Sequence, residues 1–359
     1  MDDRSFAAAQ DFLLSAKTFW STTMYQALRD KHAAAKKTAS GDAGEPVAAI
    51  AHALEDTTQY QFYSWLERHL QRMKYVGRYG LVPYHHERRD ELLATFDQSI
   101  DADNAVQIDG SLTLPAYYTG VDIHQHPGGV WSDDVAGMIY ERGARTTTPL
   151  VGVAEKDVHE RFTDLALGER TPAKILDMGC GFGKSTQPFV RRLPDSSVDA
   201  VDLSAPCLRL AAYGTRESQA SNVRFRQMNA CNTDYDDGTF DLVTSTMVLH
   251  ELPPKTIEEL LGEAFRVLSP GGRMVHLDFY CLPDAFRRFV HYGHARRNNE
   301  PYMQPLAELD LSALVASKGF VDVEIKPFQE SDHIDLNAND AWRFPWTVIA
   351  ATKPSEAAQ

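Results

Sequence analysis

Cysteine is scarce in this chain of 359 residues, which contains only Cys180, Cys207, Cys231 and Cys281. No two of them form a C-x-x-C pair, so neither a zinc-binding pair nor a redox motif of that kind is indicated. This usage argues against a disulfide-dense secreted fold and favours free thiols in a reducing cytoplasm.

Long apolar runs and an excess of positive charge are also missing. No uninterrupted apolar stretch approaches the roughly 20 residues that a membrane-spanning helix needs. The N-terminus at Met1 is acidic and leads into an amphipathic pattern, which is not typical of a secretory signal. The formal net charge of −14 argues against nucleic acid as the main partner, because phosphate binding requires a basic face. We therefore expect a cytoplasmic protein with neither a membrane nor a nucleic acid as its partner.

The most informative segment is residues 174–183, which read K-I-L-D-M-G-C-G-F-G. A short apolar run contains Asp177, and Gly179, Gly181 and Gly183 follow at every second position. This pattern predicts a buried strand, a glycine turn and the start of a helix. Such glycines permit positive φ and let a ligand approach main-chain N–H groups. The spacing G-x-G-x-G fits neither the dinucleotide fingerprint nor the phosphate loop.

The C-terminal part of the chain alternates between strand and helix patterns. Alternation of this kind predicts right-handed crossovers and a parallel sheet in an α/β fold. Before residue 280 we predict five strands, and two more follow a helical insertion at 280–305 and a helix at 306–318. The predicted strands begin at Lys174 and continue at 198–203, 223–228, 240–249, 273–278, 321–327 and 346–352.

The N-terminal part is predicted to be mainly helical. Helices are expected at 1–37, 47–75 and 87–96, followed by a polar loop at 98–114. Residues 114–148 have neither a helix nor a strand period and are dense in aromatics, histidines and glycines. A lid or binding loop and a packed Ω-loop explain this segment equally well. We place the domain boundary between residues 150 and 151, giving an N-terminal domain of 1–150 and a second domain of 151–359.

The glycine turn resembles motif I of the class I S-adenosylmethionine (SAM) methyltransferases, whose consensus is close to V-L-D-x-G-C-G-x-G. The resemblance covers roughly residues 150–353 and includes the L-S-P-G-G turn at 268–272. It implies a Rossmann-like, seven-stranded methyltransferase domain whose last strand is antiparallel, with SAM as the cofactor. It also implies that the N-terminal helical domain covers the pocket and takes part in a homodimer.

The resemblance implies a set of cofactor-binding positions at the ends of successive strands. A carboxylate about twenty residues beyond the glycines, at Asp202, suits the two ribose hydroxyls. Asn229 stands where the family usually has an acid near the adenine amino group, and an ordinary turn asparagine is the alternative. The full set is Asp177 for the ammonium group, Gly179, Gly181, Gly183, Asp202, Leu203, Asn229, Ala230, and Thr244 with Ser245 for the methionine end.

The catalytic candidates follow the fourth predicted strand, in the sequence L-H-E-L at 249–252. This sequence resembles the L-H-D-W motif of small-molecule O-methyltransferases, whose histidine is the general base, although Leu252 replaces the aromatic residue. His250 is therefore the candidate base and Glu251 its companion acid. The alternative is that His250 closes the cofactor pocket without taking a proton.

The acceptor pocket is expected above the cofactor, because ligands of open α/β sheets bind at the carboxyl ends of the strands. We assign it to segments 114–148 and 280–300, with Tyr118, His124, His126, Trp131, Tyr140, Arg142 and Tyr292 as candidates. A metal site at His124 and His126, joined by His85 or His86, is conceivable. No thiolate pair or H-E-x-x-H motif accompanies them, so we expect no metal.

The leading hypothesis is a SAM-dependent methyltransferase that O-methylates a small molecule, with His250 as the base. Methylation of sulfur or nitrogen needs no general base and is an open alternative. A second alternative, from another class, is a catalytically silent SAM-binding regulator. A nicotinamide dehydrogenase is disfavoured by the G-x-G-x-G spacing and by the absence of a second glycine-rich strand turn.

Overall fold

A computed structural model describes residues 2–38, 46–100, 106–146, 157–217, 220–332 and 334–355. Its centre is a sheet of eight strands in the order β1-β4-β3-β2-β5-β6-β8-β7. Neighbouring strands are parallel except for β8, which runs antiparallel to both β6 and β7. The strands are β1 (Val106–Gln107), β2 (Lys174–Met178), β3 (Ser197–Asp202), β4 (Val223–Gln227), β5 (Phe240–Thr246), β6 (Leu268–Phe279), β7 (Val321–Pro327) and β8 (Trp346–Thr352).

The predicted α/β, Rossmann-like architecture is confirmed, and the seven strands expected from the sequence are β2 to β8. The eighth strand was not predicted: Val106 and Gln107 pair in parallel with Phe225 and Arg226 at the edge of the sheet. Two residues are too few to show a period of two, so the sequence indicated only a polar loop there.

Helices cover both faces of the sheet and its carboxyl edge. Those before β2 are α1 (Asp3–Phe19), a π-helical turn (Trp20–Met24), α2 (Tyr25–Thr38), α3 (Val47–Leu54), α4 (Thr58–Val76), α5 (Leu81–His86), α6 (Arg89–Ile100), α7 (Ala116–Thr119), a 3₁₀ turn (Ile123–Gln125), α8 (Ala136–Ala144) and α9 (Val158–Leu167). Those after β2 are α10 (Thr186–Arg192), α11 (Ala205–Glu217), a 3₁₀ turn (Leu249–Glu251), α12 (Pro254–Val267), α13 (Ala285–Arg297), α14 (Met303–Glu308) and α15 (Leu311–Ser317).

The long predicted helices are interrupted by local backbone features. The helix expected at 1–37 contains the π-helical turn between α1 and α2. The helix expected at 47–75 is divided because Thr57 has extended backbone and its hydroxyl accepts the N–H of Tyr60 at 3.3 Å, which makes it the N-cap of α4. Hydrophobic periodicity does not register such interruptions, since the apolar stripe continues across them.

The N-terminal helices and the sheet share one hydrophobic core. A single cluster of buried side chains joins Trp20, Leu28 and Tyr63 of the helices with Val275 and Trp346 of the sheet. The N-terminal region is therefore packed onto the sheet at its carboxyl edge. The division into two domains at 150/151 stays a prediction, because that boundary lies outside the described residues.

Close helix packing against the glycine turn makes Gly183 a test of the fold. Its φ is +81°, and a Cβ there would lie 2.9 Å from the Cβ of Ala211 in α11. We expect Gly183→Ala to lower the free energy of unfolding by ~1–3 kcal/mol. The matched control, Gly262→Ala in α12, adds a Cβ with nothing within 4 Å and should raise stability by ~0.5–1 kcal/mol. Urea unfolding of both variants measures this, and effects of equal sign would contradict the packing described.

Candidate active site

The glycine turn after β2 is held close to β3 by its own backbone. The N–H groups of Gly179 and Cys180 both donate to the carbonyl of Val201, at 2.8 and 3.0 Å. Gly179 has a φ of +75°, and a Cβ there would lie 2.5 Å from a methyl group of Val248. Only glycine fits at this position, where the turn passes beneath the segment that follows β5.

A first cavity opens over this turn at the carboxyl ends of β2 to β5. Its floor combines the glycine turn with the ends of the neighbouring strands, and its roof comes from residues 117–131 and from Tyr140 of α8. The residues predicted from the sequence that line it are Gly179, Gly181, Asp202, Leu203, Asn229, Ala230, Glu251, Tyr118, Trp131 and Tyr140.

Asp202 presents a carboxylate at the wall of the first cavity. One oxygen accepts the N–H of Gly181 and the other accepts the N–H of Ser204, both at 2.8 Å. Burial, which outweighs these hydrogen bonds, raises the pKa of Asp202 to about 6. Each oxygen keeps a further lone pair, so the group is placed to accept hydrogen bonds from a pair of ligand hydroxyls.

Several polar atoms at the first cavity lack a protein partner. The hydroxyl groups of Tyr118 and Thr246 and the Nδ1 atom of His159 are buried without a hydrogen bond among the described residues. An unsatisfied buried polar group costs ~1–3 kcal/mol, so these atoms favour a polar ligand in the cavity. The sequence pointed to Tyr118 but not to Thr246 or His159, since nothing in their spacing marks them.

A second cavity adjoins the first and shares Tyr140, Phe182, Met247 and Glu251 with it. Its wall combines aromatic rings with aliphatic, charged and polar side chains. Besides Tyr140 and Phe182, the aromatic residues are Trp20, Tyr75, Phe279, Trp342, Phe344 and Trp346, and the polar ones include Lys17, His124, His250, His294 and Glu300. A flat, mainly apolar molecule with a polar substituent suits this lining.

His250 forms a buried pair with Asp278 beside the second cavity. The Nδ1 atom of His250 lies 2.7 Å from one carboxylate oxygen of Asp278, and the other oxygen accepts the N–H of Leu249 at 2.7 Å. Burial opposes the charged imidazole, but Asp278 outweighs it and raises the pKa of His250 above its ordinary value. This geometry holds the proton on Nδ1 and leaves Nε2 able to accept another.

Asp278 was missed in the sequence, where Glu251 was the expected companion of His250. The carboxylate of Glu251 is 4.0 Å from Nε2 of His250, on the opposite side of the ring from Asp278. Its position follows from the strand register of the fold: β5 and β6 are adjacent parallel strands, and Thr246 stands opposite Leu277. An acid directly after Leu277 therefore had to lie near the end of β5.

A chain of alternating carboxylates and imidazoles runs from Glu251 into the N-terminal helices. His124 lies between Glu251, at 2.9 Å from its Nε2, and Glu300, at 3.2 Å from its Nδ1. His294 lies 3.5 Å from Glu300 and pairs through its Nδ1 with Glu67 of α4. This chain links α4, the 3₁₀ turn at His124 and the end of α13 around the second cavity.

The paired carboxylates decide the charge of His124. Burial disfavours the imidazolium, but Glu300 and Glu251 outweigh it and raise the pKa of His124 to about 9. In the same way His124 and His294 overcome the burial of Glu300 and hold its pKa well below the ordinary value. The backbone of His124 has a φ of +56°, which indicates that its position is imposed by these contacts.

Four residues predicted to bind the cofactor lie behind the cavity wall. Asp177 is fully buried and accepts hydrogen bonds from the hydroxyls of Ser185 and Thr186 at 2.8 and 2.7 Å. Thr244 lies 3.4 Å from Asp177, and Ser245 bonds to His276 at 2.6 Å. The remaining one, Gly183, packs against α11. Contrary to the prediction, β5 presents residues 246–248 to the cavity, because the strand runs on past Thr244 and Ser245.

Three predicted acceptor contacts are also displaced from both cavities. His126 stacks on the ring of Tyr75 at 4.9 Å, and burial lowers the pKa of His126 to about 4. Arg142 lies over the ring of Phe6, and Tyr292 lines neither cavity. These aromatic and helix-packing contacts are tertiary, so the composition of the segments did not predict them.

No group of three or more histidine, cysteine, aspartate or glutamate side chains is arranged to hold a metal ion within the described ranges. His86 instead contacts Asp133 at 3.1 Å, and Nδ1 of His85 contacts the carbonyl of Leu81 at 2.7 Å. In the part of the chain that the structure describes, every helix is too short or too polar to span a bilayer.

Residues 175–272 match the family described as "Methyltransferase domain". This segment extends from β2 into β6 and contains the glycine turn, Asp202, Asn229 and His250. The resemblance seen in the sequence is confirmed over this segment, which is similar to the SAM-dependent methyltransferases, and SAM is the cofactor.

The relatives of this domain are named for quinone biosynthesis. A demethylmenaquinone methyltransferase of Thermus thermophilus is 37% identical over 33% of this chain and 52% of its own length. A ubiquinone/menaquinone biosynthesis C-methyltransferase of Cronobacter sakazakii is 34% identical over 33% of this chain and 48% of its own length. The match thus spans about half the length of these relatives.

Among solved structures, phosphoethanolamine N-methyltransferase 2 of Haemonchus contortus, in complex with S-adenosyl-L-methionine, has a TM-score of 0.47 and 18% identity. The comparison covers 67% of this chain and 61% of that one.

The first cavity fits SAM by the chemistry of its walls. Asp202 would accept hydrogen bonds from the ribose hydroxyls. The turn at Gly179 and Gly181 would let the ligand come close to the main chain. Asn229 uses its side-chain oxygen to accept the N–H of Cys231 at 3.0 Å, which still leaves a lone pair and the amide donors. The unpaired hydroxyls of Tyr118 and Thr246 supply the polar partners that a ligand with an amino-acid end and hydroxyl groups requires.

Asp202 provides a direct test of this cofactor site. Asp202→Ala should weaken SAM binding by ~1–3 kcal/mol, because two ligand hydroxyls lose their acceptor. Wild-type affinity should increase as the pH rises through about 6, the pKa of Asp202, since the ionised carboxylate is the stronger acceptor. Calorimetry measures both, with Asp195→Ala, an exposed acid, as the control. Unchanged SAM affinity in Asp202→Ala would remove Asp202 from the site.

The imidazole–carboxylate chain predicts a dependence of stability on pH. His124 has a folded-state pKa of about 9 against an ordinary value near 6.5, so its contribution is complete below pH 6.5 and is lost as the pH rises through 9. Over this window we expect the free energy of unfolding to fall by ~1–3 kcal/mol in the wild type. The fall should be smaller in His124→Gln and unchanged in His52→Gln, an exposed control. Equal slopes in all three proteins would show that His124 is not charged.

Proposed function

We propose that this chain transfers the methyl group of SAM to a small aromatic acceptor that carries a hydroxyl group and binds in the second cavity. The observation that carries this proposal is the junction of the two cavities. They meet at Tyr140, Met247 and Glu251, and the His250–Asp278 pair lies directly beside that junction.

The lining of the second cavity supports an aromatic acceptor. Trp20, Phe279 and Trp346 present ring faces and edges, which favour stacking with another ring. Lys17 adds a polar contact, and burial lowers its pKa to about 8, although Glu67 and Glu300 oppose this shift. Such a wall orients a flat molecule, and orientation is the main requirement of an in-line methyl transfer.

His250 is suited to take the proton of the acceptor hydroxyl. SAM supplies an activated methyl group on a sulfonium when it is bound, so the acceptor needs only to be made nucleophilic. Asp278 keeps the proton of His250 on Nδ1, and Nε2 receives the hydroxyl proton. Asp278 then stabilises the imidazolium, as its effect on the pKa of His250 indicates.

Carbon and oxygen are both nucleophilic sites once the hydroxyl has lost its proton. The negative charge of an aryl oxide is shared between its oxygen and the ring carbons beside it. Methylation at carbon, which the name of the Cronobacter sakazakii relative gives for that protein, was not considered from the sequence, where O-methylation was the leading hypothesis. The name of the Cronobacter sakazakii relative favours carbon. Transfer of the hydroxyl proton to His250 activates either atom, and a ring carbon that accepts the methyl group must then release its own hydrogen as a proton to restore the aromatic ring.

Incubation of cell extract with the enzyme and methyl-labelled SAM tests the activity itself. Mass spectrometry should reveal a product that carries the label on an aromatic ring or on its hydroxyl oxygen, and fragmentation distinguishes the two positions. A labelled thioether or amine would overturn the acceptor class. SAM binding with no labelled product would favour the silent regulator. The homodimer stays a prediction that sedimentation of the same sample would test.

Loss of the proposed base should lower the rate without affecting the cofactor. His250→Ala should reduce kcat by ~10²–10⁴-fold on the true acceptor while SAM affinity stays near that of the wild type. Asp278→Asn should also lower kcat, because it disturbs the tautomer of His250. The wild-type rate should rise with pH through the raised pKa of His250, and His69→Gln, an exposed control, should retain this profile. A pH-independent rate with a near wild-type His250→Ala would exclude the base and favour sulfur chemistry.

A further inference from the structure

A third cavity, of about 610 Å³, lies beyond the second along the carboxyl edge of the sheet. It is enclosed by residues 280–283 after β6, by α13 and by residues 327–330 and 334–346 between β7 and β8. Its walls contain none of the residues assigned above to the cofactor or to proton transfer. Residues 280–283 and α13 belong to the segment 280–300 that was predicted to line the acceptor pocket, and part of that segment encloses this separate cavity instead.

The third cavity is separated from the second by aromatic side chains. The second and third cavities share three lining residues, which are Trp342, Phe344 and Trp346. The rings are packed together, with Trp342 and Phe344 centred 4.7 Å apart, and Trp342 also contacts Trp20 at 5.0 Å. A molecule in the third cavity would therefore contact side chains that also line the second cavity.

Two buried polar atoms at the third cavity have no hydrogen-bond partner among the described residues. One is Nε2 of His291, a residue that is only 2% exposed, and the other is Nη1 of Arg343. Burial lowers the pKa of His291 to about 3, so its ring is neutral and able to donate or accept a hydrogen bond. Unsatisfied groups of this kind favour a ligand that supplies the missing partner.

The lining of this cavity carries three arginines, Arg287, Arg288 and Arg343, against two acids, Glu330 and Asp335, so the excess charge is positive. Arg287 is occupied by Asp284, at 3.3 Å, and by main-chain carbonyls of 337 and 338. The exposed side chain of Arg288 forms no hydrogen bond or ion pair within the described part of the chain, and Nη1 of Arg343 lies 3.7 Å from a carboxylate oxygen of Glu330. The side chain of Arg288 thus remains available, while Nη1 of Arg343 has Glu330 beside it but no hydrogen bond. The same wall also includes Tyr280, Leu282 and Phe328.

We propose that the third cavity binds a second small molecule, separate from SAM and the acceptor, with an aromatic or otherwise apolar body and a carboxylate or similar anionic group. The apolar body contacts the Trp342–Phe344–Trp346 wall, while the anionic group meets Arg288 and Arg343 and the ligand satisfies Nε2 of His291. Through the shared wall, this ligand alters the shape of the second cavity and so regulates the methyl transfer. The regulatory part rests on the proposed function, whereas the binding does not.

Binding of 2-naphthoate, measured by calorimetry on the full chain, tests the site. We expect saturable binding that is unchanged when the first cavity is filled with S-adenosylhomocysteine. Arg288→Gln should weaken it by about 3–10-fold, since a charge-assisted hydrogen bond is lost. The matched control is Arg296→Gln, an exposed arginine on the same helix that does not line the cavity, and it should leave affinity unchanged. The neutral analogue 2-naphthalenemethanol should bind more weakly.

Other outcomes would overturn the proposal. No saturable binding of 2-naphthoate would exclude the site, and equal binding of the neutral analogue would exclude the anionic group. Binding that is lost in Lys17→Gln but retained in Arg288→Gln and His291→Leu would place the probe in the second cavity instead. S-adenosylhomocysteine binding to each variant, measured in parallel, shows whether the fold and the cofactor site are intact, so a failure here is distinct from a failure of the proposed methyl transfer.

Discussion

The arrangement of the site depends on the hydrogen bonds that the carboxylate of Asp278 accepts. Its two oxygens hold the main-chain N–H groups of Leu249 and Phe279 as well as the ring of His250, at 2.7 to 2.8 Å. These contacts join the ends of β5 and β6 and set the course of the turn at which the two cavities meet. Burial of a carboxylate costs free energy unless its oxygens accept hydrogen bonds. The hydrogen bonds that Asp278 accepts also order the turn after β5.

The N-terminal helices complete the site and are more than a cover over it. Glu67 of α4 and His124 of the following segment enter the chain of imidazoles and carboxylates that ends at Glu251. Because these groups are buried, each needs the charge of its neighbour, and removal of one leaves another uncompensated. The same helices bring Trp20 and Tyr63 into the core shared with the sheet. Closure of the second cavity and stability of the fold therefore depend on the same contacts.

Three cavities follow one another along the carboxyl edge of the sheet. This arrangement follows from the topology, since parallel strands direct all their carboxyl ends to one edge and the loops that leave them form the walls. The first cavity lies over β2 to β5, and the third lies by the ends of β6 and β7. Shared side chains between neighbouring cavities provide a physical means by which an occupant of one affects the next.

The sequence by itself determined seven of the eight strands and part of the cofactor side of the site. Strand and helix periods, the glycines at 179 and 181 and the acid at 202 are local features, and local features are readable without the fold. The tertiary structure alone decided which side chains face a cavity: it buried Asp177, Thr244 and Ser245, turned His126 onto Tyr75 and brought Asp278 to His250. Contacts between residues far apart in the chain depend on packing and strand register, and no spacing along the sequence records them.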